Sequence, residues 1–150
     1  MSFPVTRKHV FEAFLLPGDL SRWLAIDSVV EARKGGKYIF CLEPEDKNWL
    51  KRKRARVTFF RPDEMIQFSW DGPLHLSEVM SFADDRTTVK IHLVEEVKDG
   101  QPFTHLSLTH SGWKSSEDWQ MAREWHVRFW ERALGRLQAV LEQKNEKRTD

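Results

Sequence analysis

Cysteine and long apolar runs are the scarcest features of this sequence. One cysteine, Cys41, stands among 150 residues, which excludes an intramolecular disulfide framework and favours a reducing compartment. No apolar run approaches the ~18 residues that a membrane-spanning helix needs. The N-terminus also lacks the basic and then apolar pattern of a signal peptide. We therefore expect a cytoplasmic protein without a membrane span.

An excess of charge of one sign is also missing. Lys plus Arg number 24 and Asp plus Glu number 23, which leaves a formal net charge of +1. This balance disfavours a strongly basic nucleic-acid-binding protein and an acidic solvating tail. The length of 150 residues suits one domain, since a domain usually takes about 100–200 residues. We expect a single domain over residues 1–150 and no nucleic-acid partner.

Aromatic residues other than tyrosine are abundant. The chain has 7 Trp and 10 Phe against 1 Tyr. Large rings that are mostly free of hydroxyl groups suit an interior more than a hydrogen-bonding surface. Composition leaves two alternatives open, namely a core filled by rings and a cavity lined by them.

Helical spacing marks both ends of the chain. Near the N-terminus, Thr6 is placed to cap a helix over Arg7–Leu15, which Pro17-Gly18 should end. Asp19 is a candidate cap for a second short helix that ends near Trp23.

The C-terminal segment has the longest amphipathic pattern in the chain. Apolar residues recur at helical spacing from Trp119 to Leu141, and the opposite face is charged. Glu117 and Asp118 suit the positive end of the helix dipole. We predict a helix from about Ser116 to Glu142 and a polar tail over residues 143–150 that frays.

Between these helices, the apolar pattern changes to period two. The turn signals are Gly35-Gly36, Pro62-Asp63 and Asp99-Gly100. The predicted strands are Ser28–Arg33, Lys37–Leu42, Lys51–Phe60, Met65–Trp70, a weaker Ser77–Phe82, Thr87–Val97 and Phe103–His110. Such alternation predicts an antiparallel sheet with one covered face. The long helix supplies the cover, and a curved sheet around one helix leaves a gap suited to a ligand. We therefore predict an α+β fold.

Five stretches, in this order and spread over most of the chain, resemble one family. They are Asp19–Leu24, Gly35–Phe40, Phe68–Trp70, Leu106–Trp113 and Phe129–Leu134. The sequence is thus similar to the START-type, helix-grip superfamily called SRPBCC, and within it to the branch of activator of heat-shock protein 90 ATPase homologues. The resemblance implies a curved antiparallel sheet wrapped around the C-terminal helix.

The chain departs from that resemblance at its first strand. Family members usually open with a full edge strand, but here only Met1–Val5 precede the first helix, and Pro4 lies among them. Proline cannot donate to a strand ladder. We therefore expect a first strand that is short or missing, and an open edge at Phe103–His110. An open edge favours pairing with another chain, so we predict either a homodimer contact there or a gene start placed too late.

Inward parity selects the residues that would line an apolar cavity. They are Phe40, Phe59, Phe68, Trp70, Leu108, His110, His126 and Trp130. His126 stands within an apolar helical stripe, and His110 follows Leu106 and Leu108 on one strand face. Each histidine has two interpretations: a polar contact for a ligand, or a core residue whose hydrogen bonds are satisfied internally. Buried polar groups normally find internal partners, so the structural interpretation is favoured for both.

Signals for catalysis and for metal binding are weak. None of the histidines stands in an HExxH spacing, and no Cys, Asp or Glu clusters with them. The chain has no nucleophile elbow and no placed pair of carboxylates. We expect no metal, no cofactor and no catalytic machinery. If the protein is an enzyme, His110 or His126 would be its general base.

One run of basic residues stands out, at Lys51–Arg56. It could bind phosphate groups, RNA or an acidic partner. The alternative, which we favour, is a solvated edge strand on which charge discourages aggregation.

Three functions follow in order of preference. The first is binding of an apolar small molecule or lipid-like ligand in an internal cavity. The second, implied by the family resemblance, is a co-chaperone or stress-related interaction protein with a chaperone partner. The third is a cyclase- or hydrolase-like enzyme that uses an inward histidine.

Overall fold

A long helix packed against an antiparallel sheet forms the framework of the protein. The computed structural model describes residues 1–80 and 86–149, with side chains described as far as residue 143. Within these residues the helices are α1 (Arg7–Ala13), α2 (Pro17–Trp23), α3 (Trp49–Arg52), α4 (Ser77–Met80) and α5 (Glu117–Thr149). The strands are β1 (Ser2–Phe3), β2 (Asp27–Val30), β3 (Tyr38–Cys41), β4 (Val57–Arg61), β5 (Met65–Trp70), β6 (Thr87–Lys98) and β7 (Gln101–Ser111). The predicted α+β fold, with short N-terminal helices and a long C-terminal helix, is confirmed.

The strands form two antiparallel groups. Five of them stand in the order β1-β7-β6-β5-β4, and β2 and β3 form a separate hairpin. A bridge between Lys37 and Arg56 and a 3.1 Å hydrogen bond from the Tyr38 N–H to the Ala55 carbonyl link the two groups.

The hairpin of β6 and β7 is as the sequence predicts. Its two-residue turn has positive φ at both positions, 52° at Asp99 and 76° at Gly100. These angles match a type I′ turn, which suits the twist of the flanking strands. Residues from Thr88–Ser111 to Lys98–Gln101 pair in register.

Helix α5 closes the core over the sheet. Its inner stripe is buried and includes Ala122, Ala133 and Leu137, each at 0% exposure. The Arg136 Nε donates to the Trp23 carbonyl at 3.0 Å, which ties α2 to α5. The helical backbone continues beyond Glu142 to Thr149. The added segment is rich in Glu, Gln, Lys and Arg, which favour helix, and contains no breaker.

The start of α2 differs from the prediction. Pro17 does not merely end α1, because it occupies the first turn of α2, where its missing N–H is tolerated. Leu16 is the N-cap residue, so the predicted capping role of Asp19 is wrong. The Asp19 carboxylate lies in the first turn instead, where negative charge is favourable.

The strand predicted over Lys51–Phe60 begins only at Val57. The residues before it form α3, whose Trp49 packs with Ile39, Cys41 and Ala55 in a small second core. The basic run is therefore not a solvated edge strand. Lys53 is only 5% exposed.

The weak strand predicted over Ser77–Phe82 is also wrong where it can be compared. Leu74–Leu76 form a 3₁₀ turn that leads directly into α4. Residues 81 and 82 lie outside the described residues. Period-two alternation over so few residues does not exclude a short helix.

The edge strand β1 has two residues, in agreement with the prediction of a very short first strand. It pairs with Thr104 and His105 of β7, and Met1 adds hydrogen bonds to Leu106. In an antiparallel strand, alternate residues present their backbone groups to opposite edges. The backbone groups of Leu106 face β1. The backbone groups of Leu108, two residues further along the strand, therefore also point away from β6. No described residue hydrogen-bonds to Leu108 on that side.

Among the described helices, none combines the length and the apolar character needed to cross a bilayer.

Candidate ligand-binding site

A cleft of about 600 Å³ lies between β7 and the first half of α5. Residues from both elements and from the N-terminus line it: Met1, Leu106, Ser107, Leu108, His110, Trp113, Arg123, His126, Val127, Trp130, Glu131 and Leu134. Small-molecule sites typically have about 300–1,000 Å³ and mostly apolar walls with a few polar groups. The cleft has this size and this composition.

Two periodicities build the walls of the cleft. Along β7, Leu106, Leu108 and His110 alternate onto the face that meets α5. Along α5, Arg123, Val127, Glu131 and Leu134 follow one another at steps of four, four and three residues, which place them on one side of the helix. Trp130 lies on the same side, three residues after Val127 and four before Leu134.

The cleft opens to the protein surface. Val127 is 53% exposed and Met1 is 48% exposed, although both line it. The site therefore differs from the internal cavity that the sequence leads us to expect. In the interior between sheet and helix, aromatic rings fill the space instead.

His126 is held entirely by protein groups. The indole Nε1–H of Trp70 donates to its Nε2 at 2.9 Å, and its Nδ1 lies 2.8 Å from the Ala122 carbonyl. Because a carbonyl only accepts, Nδ1 carries the proton and the ring is neutral. His126 is 1% exposed, and its burial lowers its pKa to about 4.

His110 has the complementary tautomer. The Trp130 Nε1–H donates to its Nδ1 at 3.0 Å, so Nε2 carries the proton and bonds to the Thr87 hydroxyl at 2.9 Å. Burial, with the nearby His126 as a second cause, lowers the pKa of His110 to about 2. The two imidazole centroids are 5.0 Å apart.

These contacts limit what the two histidines can do chemically. A general base needs a free lone pair and a pKa near the working pH. The lone pair of each ring is occupied by an indole N–H, and both pKa values lie well below 7. The structural interpretation of both residues therefore fits their contacts better than the catalytic one.

Four of the eight residues predicted to line a cavity lie on this cleft: Leu108, His110, His126 and Trp130. Phe40, Phe68 and Trp70 are each 1–2% exposed and lie in the core away from the cleft. Phe68 lies 4.0 Å from the Tyr38 ring, centroid to centroid, and Phe40 lies 5.9 Å from Trp70. Of the three, Trp70 contacts a residue of the cleft, because its indole N–H orients His126.

Phe59 does not point inward, so it is not a wall residue as predicted. Val57 pairs with Phe68, but Phe59 pairs with Gln67, because the register shifts between Val57 and Phe59. The extra residue reverses the alternation of the strand. Phe59 is therefore 37% exposed, with the Arg61 guanidinium 5.6 Å from its ring centroid. Phe60 takes the inward place beside Phe11.

Sequence reasoning missed most of the α5 wall. Arg123, Val127, Glu131 and Leu134 lie next to the fully buried stripe of the helix. Of these four, Val127 could have been identified from the sequence, because it is an apolar residue at the border of the polar face of the helix. Trp113 also lines the cleft, where its Nε1–H donates to the His110 carbonyl at 3.0 Å.

A metal centre finds no support in the part of the chain that the structure describes. No three His, Cys, Asp or Glu side chains there are grouped closely enough to hold an ion.

Solved structures with the same fold cover almost all of this chain. One is an HSP90 activator from Plasmodium falciparum, with 19% identity, a TM-score of 0.69 and coverage of 94% of this chain and 91% of that chain. Another is an AHSA1-like protein from Rhizobium etli, with 24% identity, a TM-score of 0.61 and coverage of 94% and 78%. A third is the Aha1 dimer from Colwellia psychrerythraea, with 18% identity, a TM-score of 0.61 and coverage of 95% and 92%. At these identities the likeness concerns the fold alone.

A search of curated proteins found no match to this chain. The family model for "Activator of Hsp90 ATPase homolog 1-like protein", however, matches residues 4–142. That match spans nearly the whole chain and agrees with the antiparallel sheet closed by α5. The chain belongs to this AHSA1-like family, a branch of the SRPBCC superfamily.

Proposed function

We propose that this protein binds a small apolar or lipid-like molecule in the cleft between β7 and α5, as a single domain without a bound cofactor. The observation that carries the proposal is the cleft itself, with a volume of about 600 Å³ and walls in which Met, Leu, Val and Trp residues outnumber the polar ones. Burial of apolar ligand surface contributes about 25 cal/mol per Å².

The polar groups of the cleft favour a ligand with one polar end. The imidazoles of His110 and His126 are saturated by indole, hydroxyl and carbonyl partners, so neither is available to a ligand. Arg123 and Glu131 are exposed residues of the same cleft. Neither forms an ion pair with a described residue. A carboxylate or hydroxyl on the ligand would bind at this rim, while its apolar part lies against Trp113, Val127 and Trp130.

The proposal is tested by titration with the neutral fluorescent probe N-phenyl-1-naphthylamine. We expect saturable binding that Val127→Asp weakens about tenfold or more, because a charged and hydrated carboxylate then replaces apolar surface that would contact the probe. Met121→Asp is the matched control, since Met121 is 67% exposed on the same helix but does not line the cleft. Equal probe binding by both variants would contradict the proposal.

A co-chaperone role is the second candidate. Its support is that one relative of the same fold is described as an HSP90 activator. Charge reversal at Arg54, which is exposed and forms no ion pair with a described residue, tests an acidic chaperone surface as the partner. Unchanged capture of purified Hsp90 by the variant would count against that surface.

A homodimer through the edge of β7 is compatible with either role. The backbone groups of Leu108 on that edge have no described partner, and one relative is described as a dimer. Light scattering after size-exclusion chromatography tests it. Leu108→Pro removes the free N–H and should shift a dimer towards monomer. A wild-type protein that is monomeric at every concentration would exclude the dimer. We place the protein in the cytoplasm, where its lone buried cysteine, Cys41, would stay reduced.

A further inference from the structure

A second cleft, of about 160 Å³, shares no lining residue with the first. It lies beside β3 and the chain that follows α3. Four of its residues are cationic, namely Lys37, Lys53, Arg54 and Arg56. The remaining lining residues are the apolar Ile39, Leu50 and Ala55.

Backbone hydrogen bonds fix the two sides of this basic cleft. After α3 the chain becomes extended at Lys53, with φ −80° and ψ 141°. It then runs beside β3, where Lys37 and Arg56 form an antiparallel bridge. The Arg56 N–H donates to the Ser69 hydroxyl at 2.9 Å. The cationic side chains therefore project from anchored backbone and not from a loose loop.

The neighbouring carboxylates have their own partners. Asp71 accepts from the backbone N–H groups of Arg54 and Ala55 and pairs with Arg86 at 2.7 Å. Asp46 pairs with Arg52. Glu31 accepts from the Lys37 backbone N–H at 2.8 Å and pairs with Arg33 at 3.2 Å.

The four cations of the basic cleft are left without ion pairs to any described carboxylate. The Arg54 Nη1 donates to the carbonyls of Lys51 and Lys53, and the Arg56 Nη1 reaches the Gly35 carbonyl at 3.5 Å. These contacts orient the guanidinium groups but leave N–H donors unused, since each guanidinium has five.

Lys53 is the least expected member of the group. It is 5% exposed, and buried lysines are rare unless they are paired. Burial, followed by repulsion from Arg52, lowers its pKa to about 8 against the attraction of Asp71 and Asp46, so the ammonium form still prevails at pH 7. An anion in the basic cleft would add to the negative charge around this ammonium group.

We propose that the basic cleft is a binding site for a phosphate group, carried by orthophosphate or by a phosphomonoester. Four cationic residues line one small space, and three of them, Lys37, Arg54 and Arg56, are exposed. Such a lining suits a dianion with several acceptor oxygens, and arginine pairs well with phosphate. The volume of about 160 Å³ is well below that of a typical organic-ligand pocket. Among the described residues, no aromatic ring lines the cleft for stacking on a base, so the geometry points to a phosphate group and not to a nucleic acid.

The test is a titration of the ¹⁵N-labelled protein with sodium phosphate at pH 7.0 and constant ionic strength, with sodium chloride as the reference salt. We expect saturable amide shifts that centre on Ile39, Ala55 and Arg56. Shifts that stay linear in phosphate concentration, or that chloride reproduces, would overturn the proposal.

Variants separate a specific site from general attraction of anions. Arg56→Gln removes an exposed cation, and Lys53→Met removes the buried charge but keeps most of the aliphatic stem. Each should weaken phosphate binding about tenfold, the effect of losing one charge-assisted hydrogen bond. Lys90→Gln is the control, because Lys90 is an exposed cation that does not line the cleft. Equal weakening in all three variants would overturn the proposal.

The source of the phosphate group is distinguished with lipid vesicles. Sedimentation with vesicles that contain phosphatidic acid, compared with pure phosphatidylcholine, tests a lipid headgroup. Co-sedimentation that Arg56→Gln abolishes would identify a headgroup as the source. Saturable orthophosphate binding without co-sedimentation would identify a soluble phosphate compound.

Discussion

The hydrogen bond from Trp70 to His126 makes a sharp prediction about stability and pH. Replacing His126 by Phe keeps a ring of similar size but leaves the buried Trp70 N–H without its acceptor. A buried donor without a partner costs about 1–3 kcal/mol. At pH 7.5 we therefore expect His126→Phe to lower the free energy of unfolding by that amount.

At acid pH, the difference in free energy of unfolding between the wild type and His126→Phe should become smaller. The pKa of folded His126 is lowered to about 4 from its ordinary value of 6.5. The unfolded chain therefore binds a proton first as the pH falls, so the stabilisation is complete above about pH 6.5 and is lost towards pH 4. At pH 5.0 the wild type has lost about 2 kcal/mol through His126 alone, since each pH unit in this window is worth about 1.4 kcal/mol. The Phe variant has no titrating group at position 126, so it does not lose this part of the free energy of unfolding.

Urea unfolding followed by tryptophan fluorescence, at pH 7.5 and at pH 5.0, measures both effects. The gap between wild type and His126→Phe should narrow by about 2 kcal/mol between the two pH values. The control is His92→Phe, since His92 lies on the other face of the sheet from the buried Ile91 and Leu93. A difference in free energy of unfolding that stays constant between the two pH values would contradict the assignment of His126 as a neutral, buried imidazole.

Three other stability predictions follow from packing and burial, each measured by urea unfolding at pH 7.5. Phe68→Ala should cost about 3–5 kcal/mol, whereas Phe59→Ala should cost less than about 1 kcal/mol because its ring is already 37% exposed. Similar losses for both variants would contradict the bulge in β4. Gly72→Ala should destabilise by at least about 1 kcal/mol, since φ is +80° there and a Cβ would lie 2.7 Å from the Met80 sulfur. Without phosphate, Lys53→Met should stabilise the protein by about 1–3 kcal/mol, because it removes a buried charge whose pKa is lowered. A destabilised Lys53→Met protein would show that the ammonium group is paired in the fold.

Long, regular patterns predicted the fold well. The apolar stripe from Trp119 to Leu141 defines α5, and the Asp99-Gly100 turn defines the longest hairpin. Both signals repeat over many residues and depend on local backbone geometry, so tertiary contacts do not override them.

Short segments misled the prediction because their structure depends on distant partners. The residues before Val57 do not alternate themselves and were assigned to the strand that follows them, but Trp49 packs on Ile39 and Cys41 and part of the segment forms α3. One extra residue in β4 reversed the side on which Phe59 lies. A bulge has no reliable signal in a single sequence.

The site was half predictable for the same reason. Strand alternation led to Leu108 and His110 on β7, and helical spacing led to His126 and Trp130 on α5; all four line the cleft. Whether an inward residue meets a cleft or the packed core depends on how far the sheet and the helix separate at that point. Trp70 shows the difference, since it faces inward but lies beneath the cleft with its N–H on His126.

Native mass spectrometry of freshly purified protein tests the central claim most directly, when it is combined with denaturing extraction of anything bound. We expect an apolar small molecule to copurify with the wild type and with Met121→Asp but not with Val127→Asp. A wild-type protein that carries no adduct and also fails to bind N-phenyl-1-naphthylamine would contradict the claim that the cleft between β7 and α5 is a ligand site.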